Sequence, residues 1–171
     1  MDILTELKAK ARHIEGRIVL PESADTRTLQ AADIVMAQGL ADIILVGKPE
    51  EIKAREKILD LDLSQATVID PASFAEIGKF TDFYYEKRKE KGVTREQAGQ
   101  TVLNELYFGA LLVKFGYADG MVAGAVNTTA DVLRAALQVV GVTSGVKTVS
   151  SCFIMVVNDY MLEVRVYVNA D

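Results

Sequence analysis

The chain is poor in the residue types that most often announce chemistry. It has one cysteine, Cys152, and one histidine, His13, among 171 residues. A lone cysteine excludes an internal disulfide and any cysteine-rich zinc site, which fits a reducing compartment. Cys152 falls in an apolar, β-rich run, the setting of a core filler; a reactive thiolate needs an electropositive, accessible site. His13 stands near Arg12 and Glu15 at the end of a helical stretch and reads as a surface residue. Basic charge is in deficit, since 19 Lys and Arg against 24 Asp and Glu leave a net charge of −5. The chain therefore carries no electrostatic footprint for nucleic acid, and a small anionic metabolite is the expected kind of partner. Long apolar runs are missing as well. The first 14 residues interleave Asp2, Glu6, Lys8, Lys10 and Arg12 with their apolar side chains, so no signal peptide is expected there. No later stretch is long enough for a membrane-spanning helix. A P-loop and a dinucleotide fingerprint are both absent. These deficits predict a soluble, cytoplasmic protein with no nucleic-acid or membrane partner.

What the sequence does hold is a regular alternation of strand-like and helix-like segments. Half of its residues are hydrophobic, enough for one sizeable core at this length. Ile3, Leu4, Leu7, Ala11 and Ile14 recur at helical spacing up to Gly16, and Arg17-Ile18-Val19-Leu20 follows as a short buried strand stopped by Pro21. A second helix carries Leu29, Ala32, Ile34, Val35 and Met36 to a stop at Gly39. Ile43-Ile44-Leu45-Val46 is a second strand, followed by Gly47 and the proline-plus-acid helix start Pro49-Glu50-Glu51. Thr67-Val68-Ile69 is a third. The spacing then predicts a polar and aromatic helix over 74–91 and, from the capping-box pattern Thr94-Arg95-Glu96-Gln97, another running to about Phe115. Residues 120–123 form a fourth strand. The first strands are unbroken apolar runs, so both sheet faces should be covered. The predicted fold is α/β, with three α/β/α layers around a mainly parallel sheet. The pattern changes near the end. Residues 151–157 are apolar and β-rich, Asn158-Asp159 suits a tight turn, and Leu162, Val164, Val166 and Val168 alternate with Glu163, Arg165 and Tyr167. This predicts a β-hairpin with one solvated side, giving an α/β domain over 1–150 and a hairpin over 151–171.

Three loop-to-helix junctions are candidate anion sites. In the first, the strand at 120–123 runs through Gly124, Ala125, Val126 and Asn127 into a helix that begins at Thr128-Thr129. The first turn of a helix offers unpaired N–H groups and a partial positive charge, to which the hydroxyls of Thr128 and Thr129 add donors. Arg134, one and a half turns inside, brings a full charge with two-pronged geometry. The same residues also fit a plain N-cap and a solvated arginine. In the second, Ser23, Asp25 and Arg27 follow the first strand, where ligands of open parallel sheets gather; a capping turn with an exposed arginine fits equally. The third is the charge run from Glu86 to Lys91, including Arg88, which suits a solvated helix end.

Four segments together resemble the phosphate acetyltransferase (phosphotransacetylase) family. They are Leu20-Pro21-Glu22-x-x-Asp25-x-Arg27-Thr28-Leu29, Ala41-Asp42-Ile43-Ile44-Leu45-Val46-Gly47, Tyr85-Glu86-x-Arg88-Lys89-x-Lys91-Gly92, and Asn127-Thr128-Thr129-Ala130-Asp131-Val132-Leu133-Arg134. The resemblance implies reversible, metal-free acetyl transfer between acetyl-CoA and inorganic phosphate, giving acetyl phosphate and CoA, with CoA a substrate and no cofactor. It implies substrate-binding roles for Arg88 and Arg134, and a loop at Asn127, Thr128 and Thr129 lining the same cleft. Ser23, Asp25 and Arg27 are weaker candidates. Family members are homodimers of longer chains, whose general base and Ser-Arg pair have no counterpart in these 171 residues, so this segment is expected to have little or no activity alone. Phosphate butyryltransferases share much of the pattern, and a non-catalytic anion-binding domain is a further alternative.

Overall fold

The computed structural model describes residues 3–142, 145, 149–157 and 160–168, with only the backbone described from 150 onward. It divides into two units, Met1–Val140 and Gly141–Asp171.

Four parallel strands form the sheet of the first unit: β1 (Arg17–Leu20), β2 (Asp42–Val46), β3 (Thr67–Ile69) and β4 (Gly120–Met121), in the order β3-β2-β1-β4. β1 pairs with β2 from Arg17 opposite Asp42 to Leu20 opposite Leu45. Its pairing with β4 is much shorter, Ile18 opposite Gly120 and Val19 opposite Met121. The period of two along each strand sends alternate side chains to opposite faces. Val19, Ile44 and Val46 join one buried cluster, and Leu20, Ile43 and Leu45 the other. Unbroken apolar strands thus serve two covered faces, as the sequence pattern requires.

The two covers differ in kind. One is aliphatic, from Leu29, Ala32 and Met36 of α2 (Thr26–Ala37), Ile52 of α3 (Pro49–Leu59) and Leu63. The other is aromatic, built on Phe80 and Tyr84 of α4 (Ile77–Arg88) and Phe108 of α6 (Glu105–Lys114). Phe80 stacks on Phe115 with centroids 4.9 Å apart, and Phe74 meets Phe108 edge-on at 5.3 Å, the offset and T-shaped arrangements that ring quadrupoles favour. Ala98 and Val102 of α5 (Arg95–Val102) and Val139 of α7 (Thr129–Val139) complete this layer. α1 (Ile3–Ile14) has no buried residue.

Several boundaries differ from the spacing-based expectation. The helix expected over 74–91 starts at Ile77, after a 3₁₀ turn at Pro71–Ser73 whose Ala72 N–H is capped by the Asp70 carboxylate, and it ends in a second 3₁₀ turn at Lys89–Lys91. The helix expected from Thr94 to Phe115 is two. α5 opens with the full capping box, Gln97 N–H donating to Thr94 Oγ1 at 3.2 Å and Thr94 N–H to Gln97 Oε1 at 2.9 Å. Asn104 then breaks the run, because its side chain accepts from the N–H groups of Leu106 and Tyr107 and starts α6 afresh. α6 sits directly on β1 and β4: a β-carbon at Gly109 would lie 2.8 Å from Met121 Sδ and 3.2 Å from Val19 Cγ1. β4 ends at Met121 and not at Ala123; Val122 donates one more bond to Val19 C=O before the chain turns away.

In the second unit β5 (Val149–Val157) pairs antiparallel with β6 (Tyr160–Val168). The turn expected at Asn158-Asp159, the alternating faces of 161–168 and the side chain of Cys152 lie outside the described residues. Among the described residues no helix is long and apolar enough to cross a membrane.

Candidate functional site

The chain leaves β1 toward β2 and β3 on one side and returns to β4 on the other, so the carboxyl ends of β1 and β4 form a topological switch point, where ligands of such sheets bind. Two loops meet there, residues 21–25 and 122–128. They enclose a cavity of about 230 Å³ lined by Leu20, Glu22, Arg27, Thr28, Val122 and Ala125, among others.

The loop after β4 wraps a carboxylate of the chain itself with the amides of residues 124–127, whereas the helix start at Thr128, where the sequence suggested a cradle, is a self-contained N-cap. Glu22, only 2% exposed, places its carboxylate among the loop's amides. Gly124 and Ala125 N–H donate to Oε2 at 2.7 Å each, and Val126 N–H, Asn127 N–H and Asn127 Nδ2 donate to Oε1 at 3.0, 2.8 and 2.9 Å. Gly124 adopts φ +111° to bring its N–H into this arc, a conformation that glycine reaches at no steric cost. Five donors saturate a carboxylate's lone pairs. Burial alone drives the Glu22 pKa upward, but the hydrogen bonds, led by those from Asn127, outweigh it and bring it to about 2. Glu105, at the start of α6, also reaches the Asn127 side chain; burial pushes its carboxyl up, the Asn127 hydrogen bond opposes this in part, and the Glu22 charge adds to the rise.

The candidates from the first loop hold this arrangement together. Ser23 is buried and donates its hydroxyl to Val46 C=O, tying the end of β1 to the end of β2. Asp25 is the N-cap of α2, accepting from Arg27 N–H at 2.8 Å. Arg27 pairs with Asp25 and donates to Ala125 C=O at 2.6 Å, tying the first loop to the second. The capping turn is therefore present, and its exposed arginine also spans to the second loop.

The remaining candidates lie along α7 and its neighbour α4. Thr128 is the N-cap of α7, its Oγ1 accepting from Asp131 N–H at 3.2 Å while donating to the Asp131 carboxylate at 2.6 Å. Thr129 opens the helix and is exposed. Arg134 is exposed and donates to Asp131 at 2.6 Å. Arg88 ends α4, half-buried, with its Nε buried and without a hydrogen-bond partner among the described residues. Its guanidinium acts on the Tyr84 phenol, lowering a pKa that burial raises more strongly. Tyr84 donates to Gln138 Oε1 at 2.6 Å, and Gln138 follows Arg134 by one helical turn on α7. Glu22, Asn127, Ser23 and Arg27 thus form one group, Thr128 and Arg134 a second around Asp131, and Arg88 a third with Tyr84 and Gln138.

Reasoning from sequence missed Glu22, Glu105, Asp131 and Gln138. Asp131 carried a local signal, an acid three residues after an N-cap threonine. Glu22 carried none, because its partners lie more than 100 residues away. Among the described residues no group of three His, Cys, Asp or Glu side chains is placed to hold a metal ion.

Residues 2–171 match the sequence model of the family described as Phosphate acetyl/butaryl transferase. The chain is 47% identical over 155 residues to a phosphate acetyltransferase of Thermoanaerobacterium thermosaccharolyticum, covering 91% of this chain and 47% of that protein. It is 40% identical over 159 residues to that of Clostridium acetobutylicum, covering 93% and 48% respectively. Among solved structures, a phosphotransacetylase from Streptococcus pyogenes superposes with a TM-score of 0.86 at 33% identity, over 95% of this chain and 51% of that one. The EutD phosphotransacetylase from Staphylococcus aureus gives 0.83 at 36% identity, over 95% and 49%. The chain spans about half the length of the curated relatives it matches.

Proposed function

The chain belongs to the phosphate acetyl/butyryl transferase family, and from that premise we propose that it supplies the substrate-binding part of a phosphate acetyltransferase. The reaction is reversible acetyl transfer between acetyl-CoA and inorganic phosphate, carried out on cytoplasmic metabolites. In the direction of acetyl-CoA synthesis, the CoA thiolate attacks the carbonyl carbon of acetyl phosphate, the C–O bond to phosphate breaks, and phosphate leaves with the electron pair. Arg88 and Arg134 neutralise the phosphate groups, and the loop at Asn127, Thr128 and Thr129 borders the cleft. A longer acyl chain, as in the butyryl branch, is the alternative substrate.

The observation that carries this reading is the buried, unpartnered Nε of Arg88. A buried donor without an acceptor is costly, and an anionic oxygen is the partner that relieves it. Arg134 supports it from α7, where its Asp131 partner is solvent-exposed enough for a phosphate to displace. The thiol needs a base, since its ordinary pKa near 8.5 leaves it mostly protonated at neutral pH. Glu22 cannot serve, with all its lone pairs engaged and its pKa about 2.

Calorimetric titration of the chain with CoA and with acetyl phosphate tests the assignment. Arg88→Ala and Arg134→Ala should each weaken binding roughly tenfold or more, the value of a charge-assisted bond. Arg134→Ala should leave thermal stability within about 0.5 kcal/mol, as an exposed pair predicts. Unchanged affinity in both variants would sink the reading.

A further inference from the structure

The strand–turn–helix pattern of residues 120–129 is one that elsewhere takes an anion from solution, yet here the chain provides the anion itself. We propose that Glu22 is the positioning residue of the site: its carboxylate holds residues 124–127 in the shape that borders the cleft, and leaves the binding of ligand anions to the arginines. The inference deepens the proposed function and rests on it for the identity of the ligand.

All four amides of residues 124–127 and the side-chain N–H of Asn127 point to one carboxylate, so none of these donors is free for a phosphate. With one Nδ2 hydrogen on Glu22 and the Asn127 side chain also bonded to the Glu105 carboxylate, what Asn127 offers a ligand is Oδ1, an acceptor that suits a hydroxyl or amide N–H and repels an anionic oxygen. Arg27 completes the hold through Ala125 C=O. The loop is thus fixed through its N–H groups by Glu22 and through the Ala125 carbonyl by Arg27, while the two candidate binding arginines lie on α4 and α7. A loop held in its bound shape before the ligand arrives avoids the ordering cost on binding.

The test uses the chain with CoA as probe and follows amide hydrogen exchange by NMR. Glu22→Gln keeps the side chain's size but removes its charge and turns one acceptor oxygen into a donor group facing amide N–H groups. The expected result is exchange at residues 124–127 at least about tenfold faster, with CoA affinity falling by a similar factor. In Glu22→Ala the space is vacated, and millimolar formate should slow exchange at these four amides and recover CoA affinity, while the unsubstituted chain shows no response to formate. A merely structural loss would not be reversed by a free carboxylate. If the alanine variant does not fold, Glu22→Gln decides through its two readouts. Wild-type exchange in Glu22→Gln, or fast exchange with unchanged CoA affinity, overturns the proposal. Absence of CoA binding by the unsubstituted chain overturns the proposed function and the ligand half of this inference, and the exchange rates then decide the loop-holding half alone.

Discussion

The two ends of the β1–β4 pair are closed by the same chemical device in opposite settings. At the amino end the Asp119 carboxylate accepts from Arg17 N–H at 2.8 Å and lies 3.5 Å from Arg17 Nε, with the Asp119 side chain 55% exposed. At the carboxyl end the Glu22 carboxylate accepts five bonds and is sealed from solvent. Between them the strands share only two residue pairs. Water competes for Asp119 and screens it, so its bonds contribute little beyond what hydration already gave. Glu22 has given up hydration altogether, and its donors have no alternative partner, so loss of the carboxylate leaves buried amides unsatisfied. The end at the topological switch point is the one made unforgiving.

The largest effect should come from Glu22→Ala, which strands four amides and is expected to cost about 3 kcal/mol or more in urea unfolding. Acid titration sharpens the same point. The folded-state pKa near 2 lies below the ordinary 4.5, so the charge favours the folded form. Its contribution, roughly 3 kcal/mol, is complete above about pH 4.5 and is lost as pH falls toward 2. Unfolding free energies measured between about pH 3 and 7 should therefore slope downward on acidification in the unsubstituted chain more steeply than in Glu22→Gln; parallel curves would remove Glu22 from the account. Next is Gly109→Val, which crowds Met121 and Val19 and tests whether close seating of α6 also holds the strand pair; overpacking predicts a loss of about 1–3 kcal/mol. The smallest is Asp119→Ala, expected below about 1 kcal/mol and shrinking further in high salt. A loss equal to that of Glu22→Ala would break the comparison.

Much of the scaffold was legible because its signals are local. The apolar runs at β1, β2 and β3, the proline start of α3 and the Thr94–Gln97 capping box all state their structure within a few residues. Asn104 hid inside a helical pattern because Leu103 and Leu106 keep the apolar spacing across it, although an asparagine followed by Glu105 is a helix start on capping grounds. Residues 122–123 looked like strand because they are apolar, whereas the chain leaves the ladder after Met121, with one last bond from Val122 N–H to Val19 C=O, and turns so that the amides from Gly124 onward meet Glu22. At the site, the order of strand, turn and helix was legible, and so was the N-cap alternative at Thr128. The Glu22 carboxylate inside the turn was not, since a hydrogen bond spanning more than 100 residues leaves no periodicity behind. Arg134 was legible from its place in the helix that follows the turn, and Arg88 as a binding residue only through family resemblance; the buried Nε of Arg88 and its Tyr84–Gln138 neighbours emerge only from coordinates.

The separation between Glu22 and its donors, 102 to 105 residues, also orders events during synthesis. The aliphatic cover with β1, β2 and β3 is encoded by residue 69 and can assemble early, from near neighbours. A nascent chain that has not yet reached residue 124 carries Glu22 as a hydrated charge with nothing to enclose it. The crevice takes shape last, when the ribosome delivers the turn that closes over a side chain made some three-quarters of a domain earlier.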